Sequence, residues 1–161
     1  MRSAIRGTRS IKPVVQLEHT GCGIASVAVL AGVSYDAAQR TARRLGIVAA
    51  DDRLWSHTDH VRCLLKRYGL TAHRRETPFS SWSALPSPAL LAVKWHRERG
   101  KSFWHWVVFV RDQGNAYVLD SAPALKRHVR TDLGRIKPRW FIGIVGTRRG
   151  APADRARTRR H

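Results

Sequence analysis

Cys22 lies between two glycines, six residues after Gln16, where the stretch QLEHTGCGIASVAVLAG (16–32) turns apolar. A thiol is a useful nucleophile as its thiolate, and a helix N-terminus favours that form by presenting positive potential and unpaired N–H groups. Attack on an amide carbonyl creates an oxyanion, which must be met by donors fixed in advance. The Cys22 backbone N–H is one candidate donor and the Gln16 side-chain amide is the other, because a planar amide gives a directed hydrogen bond without pairing off with the thiolate. Gly21 and Gly23 read as room for a substrate backbone and as permissive turn geometry ahead of the helix.

A nucleophilic thiol needs a base, and the base needs an acceptor on its second nitrogen. Of eight histidines, His105 stands in the middle of an apolar strand, WHWVVFV, both faces of which look buried. His105, Val107 and Phe109 share one face; Trp104, Trp106 and Val108 share the other. If Gln113 and Gly114 form a two-residue hairpin tip, Val107 lies opposite Asp120. Asp120 is then a diagonal neighbour of His105, at roughly 7 Å or less between Cβ atoms. A three-residue loop would turn Asp120 to the wrong side. Asp112 is a rival orienter, but it sits at the hairpin tip.

These groups must be carried by two kinds of element. CGIASVAVLAG gives a short helix stopped at Gly32, with Ile24, Val27 and Ala28 at helical spacing. Ser34 caps a second helix that ends at Gly46, with Tyr35, Ala38, Ala42 and Leu45 inward. Thr58 caps a third that Gly69 terminates, striped by Val61, Leu64, Leu65 and Tyr68. The second half changes period: 90–95, 104–112, 115–120 and 139–146 are β-branched and aromatic, separated by turn-formers. Helices first and an antiparallel sheet second make an α+β fold.

Gln16, Cys22-Gly23 opening a helix, His105 in one strand and Asp120 at the end of the next resemble the papain-like fold, specifically the C39 and C39-like cysteine peptidases. The resemblance covers roughly residues 14–121, with 139–146 continuing the sheet. It implies Cys22 as nucleophile, His105 as general base and acid, Asp120 as orienter, Gln16 as oxyanion donor, and a peptide or protein as substrate. The family often has an acidic residue before the cysteine and a proline after the aspartate; here those places hold Gly21 and Ser121. The best known members cut double-glycine leaders as part of an export transporter. This chain has no membrane or ATPase segment, so that substrate is not carried over.

The remaining composition sets the alternatives. At 161 residues a single domain is expected, with a basic extended lead-in at 1–13, a catalytic domain at 14–147 and a basic disordered tail at 148–161. The formal charge of +19 admits a nucleic-acid partner. However, arginine outnumbers lysine four to one, as genome composition bias would give, and the tail has six arginines and no aromatic residue on which bases could stack. A nucleic-acid module would also leave Gln16 without a role. Tryptophans 82, 95, 104, 106 and 140 read as core or cleft wall. Cys63 faces away from the third helix's apolar stripe, and the His57, His60, Cys63 string matches no familiar closed zinc site, so neither metal nor cofactor is expected. Two cysteines are too few for a disulfide framework, and no stretch reads as a secretory signal or a membrane span, which points to the cytoplasm. The same Cys-His-Asp order also serves acyltransferases, transglutaminases and deamidases, and it serves effector or toxin peptidases as well.

Overall fold

The computed structural model describes residues 11–145; the tail at 148–161 and most of the lead-in at 1–13 lie outside them. Three helices, α1 (Cys22–Ala31), α2 (Tyr35–Arg44) and α3 (Asp59–Arg67), precede the main strands. Nine of the ten α1 residues are buried, as a helix apolar on all sides must be. The other two helices are amphipathic. Ser34 caps α2 by accepting from the Ala37 N–H, and Gly32 closes α1 in the left-handed conformation, which costs glycine nothing. Leu45 departs from the expected inner face: it is the C-cap of α2 and 37% exposed, because the turn towards Gly46 carries it off the helix.

The strands are β1 (Thr71–Ala72), β2 (Thr77–Pro78), β3 (Ala89–Glu98), β4 (Lys101–Asp112), β5 (Asn115–Leu119), β6 (Val129–Arg130) and β7 (Trp140–Val145). They form one sheet in the order β1-β7-β3-β4-β5-β6, with β2 also on β7 and every pairing antiparallel. The molecule is α+β, helices packed on an antiparallel sheet. Three two-residue strands and a 3-10 helix, Asp52–Trp55, are too short to leave a periodic signal in the sequence.

Both faces of the central strands are covered. Leu90, Ala92, Trp104, Trp106, Val108 and Ile142 join the helices in one core. Leu91, Val93, Val107, Phe109 and Val118 form a second core with Leu85 and Ile136. The β4–β5 hairpin closes through Gln113 and Gly114, both at positive φ (47° and 81°), the geometry of a type I′ turn. Its pairs run from Asp112↔Asn115 to Val108↔Leu119, which is the two-residue register anticipated above. α1 packs against β4, and within that contact Cys22 comes near His105.

Candidate active site

Cys22 is the first residue of α1, and the first intrahelical bond runs from the Ala25 N–H to the Gly21 carbonyl. The Cys22 and Gly23 N–H groups therefore have no acceptor within the helix. Ser26 Oγ donates to the Cys22 carbonyl at 2.8 Å, which fixes the first turn. The flanking glycines serve packing rather than substrate. A methyl group at Gly21 would run into the Tyr35 hydroxyl, and one at Gly23 would lie 2.5 Å from His60 Nε2, so the space read as substrate room is already filled.

His105 Nε2 lies 2.7 Å from Asp120 Oδ1, which leaves Nδ1 as the free ring nitrogen. The Cys22 thiol is close enough to the same imidazole to act on its titration. Burial, the largest single influence, pulls the His105 pKa down, but the bonds and charges of Asp120 and Cys22 together outweigh it and push it up to about 9. His105 is then an imidazolium at neutral pH.

Asp120 follows β5 and is 1% exposed. Its Oδ1 also accepts from the Ala122 N–H at 3.1 Å, and its Oδ2 accepts from an Arg130 guanidinium N–H at 3.3 Å. Burial would raise its pKa, yet the hydrogen bond and charge of His105, with Ala122 and Arg130 behind them, hold it below the usual carboxylate range. Asp132 in turn braces Arg130 at 2.9 Å. Asp112, the rival orienter, is paired with Asn115 at the hairpin tip. The sequence reading missed Arg130, because a two-residue strand gives no hint of which residue it sets beside Asp120.

Gln16 is buried next to these groups, but its amide is engaged. Both Nε2 hydrogens go to backbone carbonyls of its own loop, Glu18 and His19, each at 3.0 Å, while Oε1 accepts from Ser121 Oγ at 2.7 Å. The Gln16 N–H also donates to the Ser121 carbonyl at 3.1 Å. Ser121 thus pins Gln16 beside Asp120. Glu18 anchors the loop to α2 by accepting from the Tyr35 hydroxyl and the Gln39 amide, and Thr20 donates to the Ala49 carbonyl. Burial and then Glu18 raise the Tyr35 pKa well above its ordinary value.

A cleft of about 320 Å³ opens beside His105, with Gln16, Trp55, Lys94, Trp104 and Pro123 among its walls. The His19 ring meets Trp55 edge-on at 4.7 Å on its rim. Cys22 itself has no solvent exposure and is not among the residues that line the cleft. His60 is buried against Gly23 with neither ring nitrogen hydrogen-bonded. Burial, against a smaller opposing pull from Asp59, lowers its pKa to about 4. Among the described residues no three histidine, cysteine or carboxylate side chains are grouped to hold a metal ion, and no single helix is long and apolar enough to cross a membrane. Cys63 is an exposed free thiol.

No protein-family model matches the chain, and no curated protein matches it. Solved structures do. A double glycine motif protease from an AMS/PCAT transporter, in complex with its leader peptide, aligns with a TM-score of 0.54 over 87% of this chain and 94% of that one, at 18% identity. The peptidase domain of Streptococcus ComA, a bi-functional ABC transporter involved in a quorum-sensing pathway, aligns with a TM-score of 0.58 over 86% of this chain and 100% of that one, at 16% identity. At such identities the likeness concerns the backbone, and the three helices on a seven-stranded antiparallel sheet have the C39-like cysteine peptidase fold.

Proposed function

We propose that the chain is a cysteine peptidase that hydrolyses a peptide bond through Cys22, His105 and Asp120. The observation that carries this reading is His105 standing between a buried, doubly braced carboxylate and the thiol at the start of α1. In the resting pair the proton already sits on the His105 imidazolium, and the Cys22 thiolate attacks the carbonyl carbon, forming the S–C bond as the carbonyl π pair moves onto oxygen. The oxyanion is met by the Cys22 N–H and by Gln16, whose amide must first release a loop carbonyl. His105 returns the proton to the leaving amine as the C–N bond breaks. Water then attacks the thioester, His105 accepts its proton, and the S–C bond breaks to free the acid. Because Cys22 is fully buried, substrate reaches the sulfur when the loop carrying Gln16 and His19 yields. A peptide is the natural substrate class, given the neighbour crystallised with a leader peptide. We assign catalysis to residues 14–147, and the two free cysteines suit the reducing cytoplasm.

The test is the rate of iodoacetamide labelling against pH for the full chain, Cys63→Ser and His105→Ala, alongside cleavage of a peptide library. Cys22 should be labelled well below the pH of about 8.5 at which an ordinary thiol ionises, it should keep that advantage in Cys63→Ser, and His105→Ala should abolish it. Labelling of Cys22 only near pH 8.5 in the unmodified protein would refute the activated pair. Release of hydroxamate in place of acid, with hydroxylamine as acceptor, would move the reaction from hydrolysis to acyl transfer.

A further inference from the structure

The cleft beside His105 has a charge pattern that amide hydrolysis by itself does not require. Apart from its histidines its one charged wall residue is Lys94, and no aspartate or glutamate lines it. Among the described residues no carboxylate pairs with Lys94. Besides Gln16, the rest of the wall is aromatic or small: Trp55, Phe103, Trp104, Ala122, Pro123 and Ala124.

Lys94 is held there by an irregular backbone. β3 pairs with β4 in step as far as Val93↔His105 and resumes at His96↔Phe103, one residue out of register. Lys94 and Trp95 therefore share the place opposite Trp104, and Lys94 takes φ 51°, a left-handed conformation that costs a non-glycine residue on the order of 1 kcal/mol. A bulge of this kind re-aims a side chain, and the neighbours fix which one. Trp95 packs towards the helix-side core with the Arg139 guanidinium 4.4 Å over its ring, so Lys94 is the member of the pair turned to the cleft. His96 Nδ1 donates to the Lys94 carbonyl at 3.0 Å and its ring stacks on Phe103, bracing the bulge within the same cleft wall.

Resting on the peptidase reading, we infer that this cleft is a specificity subsite for an aspartate or glutamate side chain of the peptide substrate, with Lys94 as its counter-ion. The ammonium is a point charge that takes a carboxylate without demanding one geometry. The net charge of +19 would draw an anionic peptide towards the molecule before any contact forms.

The test uses the full chain in a Cys63→Ser background and capped tripeptidyl chloromethyl ketones carrying Glu, Gln or Lys in turn at each position. Inactivation is followed by intact mass, and each rate is divided by that of iodoacetamide on the same variant, so that changes in the thiol itself cancel. At one position the Glu probe should react about three to ten times faster than the Gln probe at low salt. That advantage should shrink in 0.5 M salt (on the order of a 4 Å Debye length), vanish in Lys94→Gln and turn towards the Lys probe in Lys94→Glu. Equal Glu and Gln rates at every position, or a Glu preference that survives Lys94→Glu, would overturn the subsite. The same tripeptides as amides, titrated by the fluorescence of Trp55 and Trp104, keep the two readings apart. Lys94-dependent binding of the Glu peptide with an unreactive Cys22 would sink the nucleophile and keep the subsite, whereas a reactive Cys22 with no such binding would do the reverse.

Discussion

At the scale of single residues, the glycines beside Cys22 decide what else the site can contain. Gly23 lets His60 lie against the first turn of α1, where an added methyl would come within 2.5 Å of Nε2 and 3.0 Å of Val61. Neither neighbour is a flexible chain end, because both belong to α3 and are buried. Gly23→Ala should therefore cost about 1–3 kcal/mol through overpacking, measured by urea unfolding, and Gly23→Ala with His60→Ala should cost less than the sum of the two single changes. An additive double mutant would mean that His60 does not set the requirement for glycine. Asp120 acts by charge instead. Its hydrogen bond to His105 is a leading cause of the raised imidazole pKa, so Asp120→Asn should move the His105 titration, followed by imidazole NMR, from about 9 towards its ordinary value of about 6.5. An unchanged titration would assign the shift to Cys22 alone.

At the scale of elements, the β4–β5 hairpin converts a turn into the 2.7 Å contact between His105 and Asp120. Its two-residue tip sets Asp120 on the His105 face, and both tip residues stand at positive φ. A type I′ turn favours Asn-Gly; this chain has Gln113-Gly114. Gly114→Val should lower stability by about 1–2 kcal/mol, since a β-branched residue is strained there, and Gln113→Asn should raise the thermal midpoint slightly. The opposite signs would mean that the tip does not adopt this turn. Strand parity reduced that register to a choice between an even and an odd loop, and the positive φ of Gln113 and Gly114 makes the choice. The three helices were legible through terminating glycines, apolar spacing and, for α2, the Ser34 cap, whereas Thr58 stands at the N-cap of α3 without the side-chain bond expected of it. Long-range partners were not legible. Arg130 reaches Asp120 through a two-residue strand, and His60 is buried only because α3 meets a glycine on α1. The position of Gln16 was readable from its spacing to Cys22, but the commitment of its amide to Glu18 and His19 depends on how residues 17–20 turn. Lys94 needs a bulge that apolar alternation does not announce.

At the scale of the whole molecule, two buried histidines with opposite shifts bound the pH range in which the fold is most stable. His105 is pushed up to about 9 by Asp120 and Cys22 against burial, so between about 6.5 and 9 the folded chain holds a proton that the unfolded chain releases. Its contribution is complete below pH 6.5 and is lost as pH rises through 9. His60 is the reverse case: burial lowers its pKa to about 4 although Asp59 and Asp51 pull it upward. Between about 4 and 6.5 the unfolded chain takes up a proton that the folded chain refuses, so stability falls as pH drops through that window. Asp120, Asp132 and Glu76 are all held below their ordinary carboxylate values, which puts their own acid limb lower still. Stability should therefore peak near pH 6.5 and fall on either side, each limb on the order of 3 kcal/mol at about 1.4 kcal/mol per unit. Urea unfolding across pH 4–10 checks this: His60→Leu should flatten the acid limb alone, and His105→Ala the alkaline limb alone. An acid limb that persists in His60→Leu would show that His60 has its charge satisfied in the fold, and would leave the Gly23–His60 contact without an electrostatic consequence.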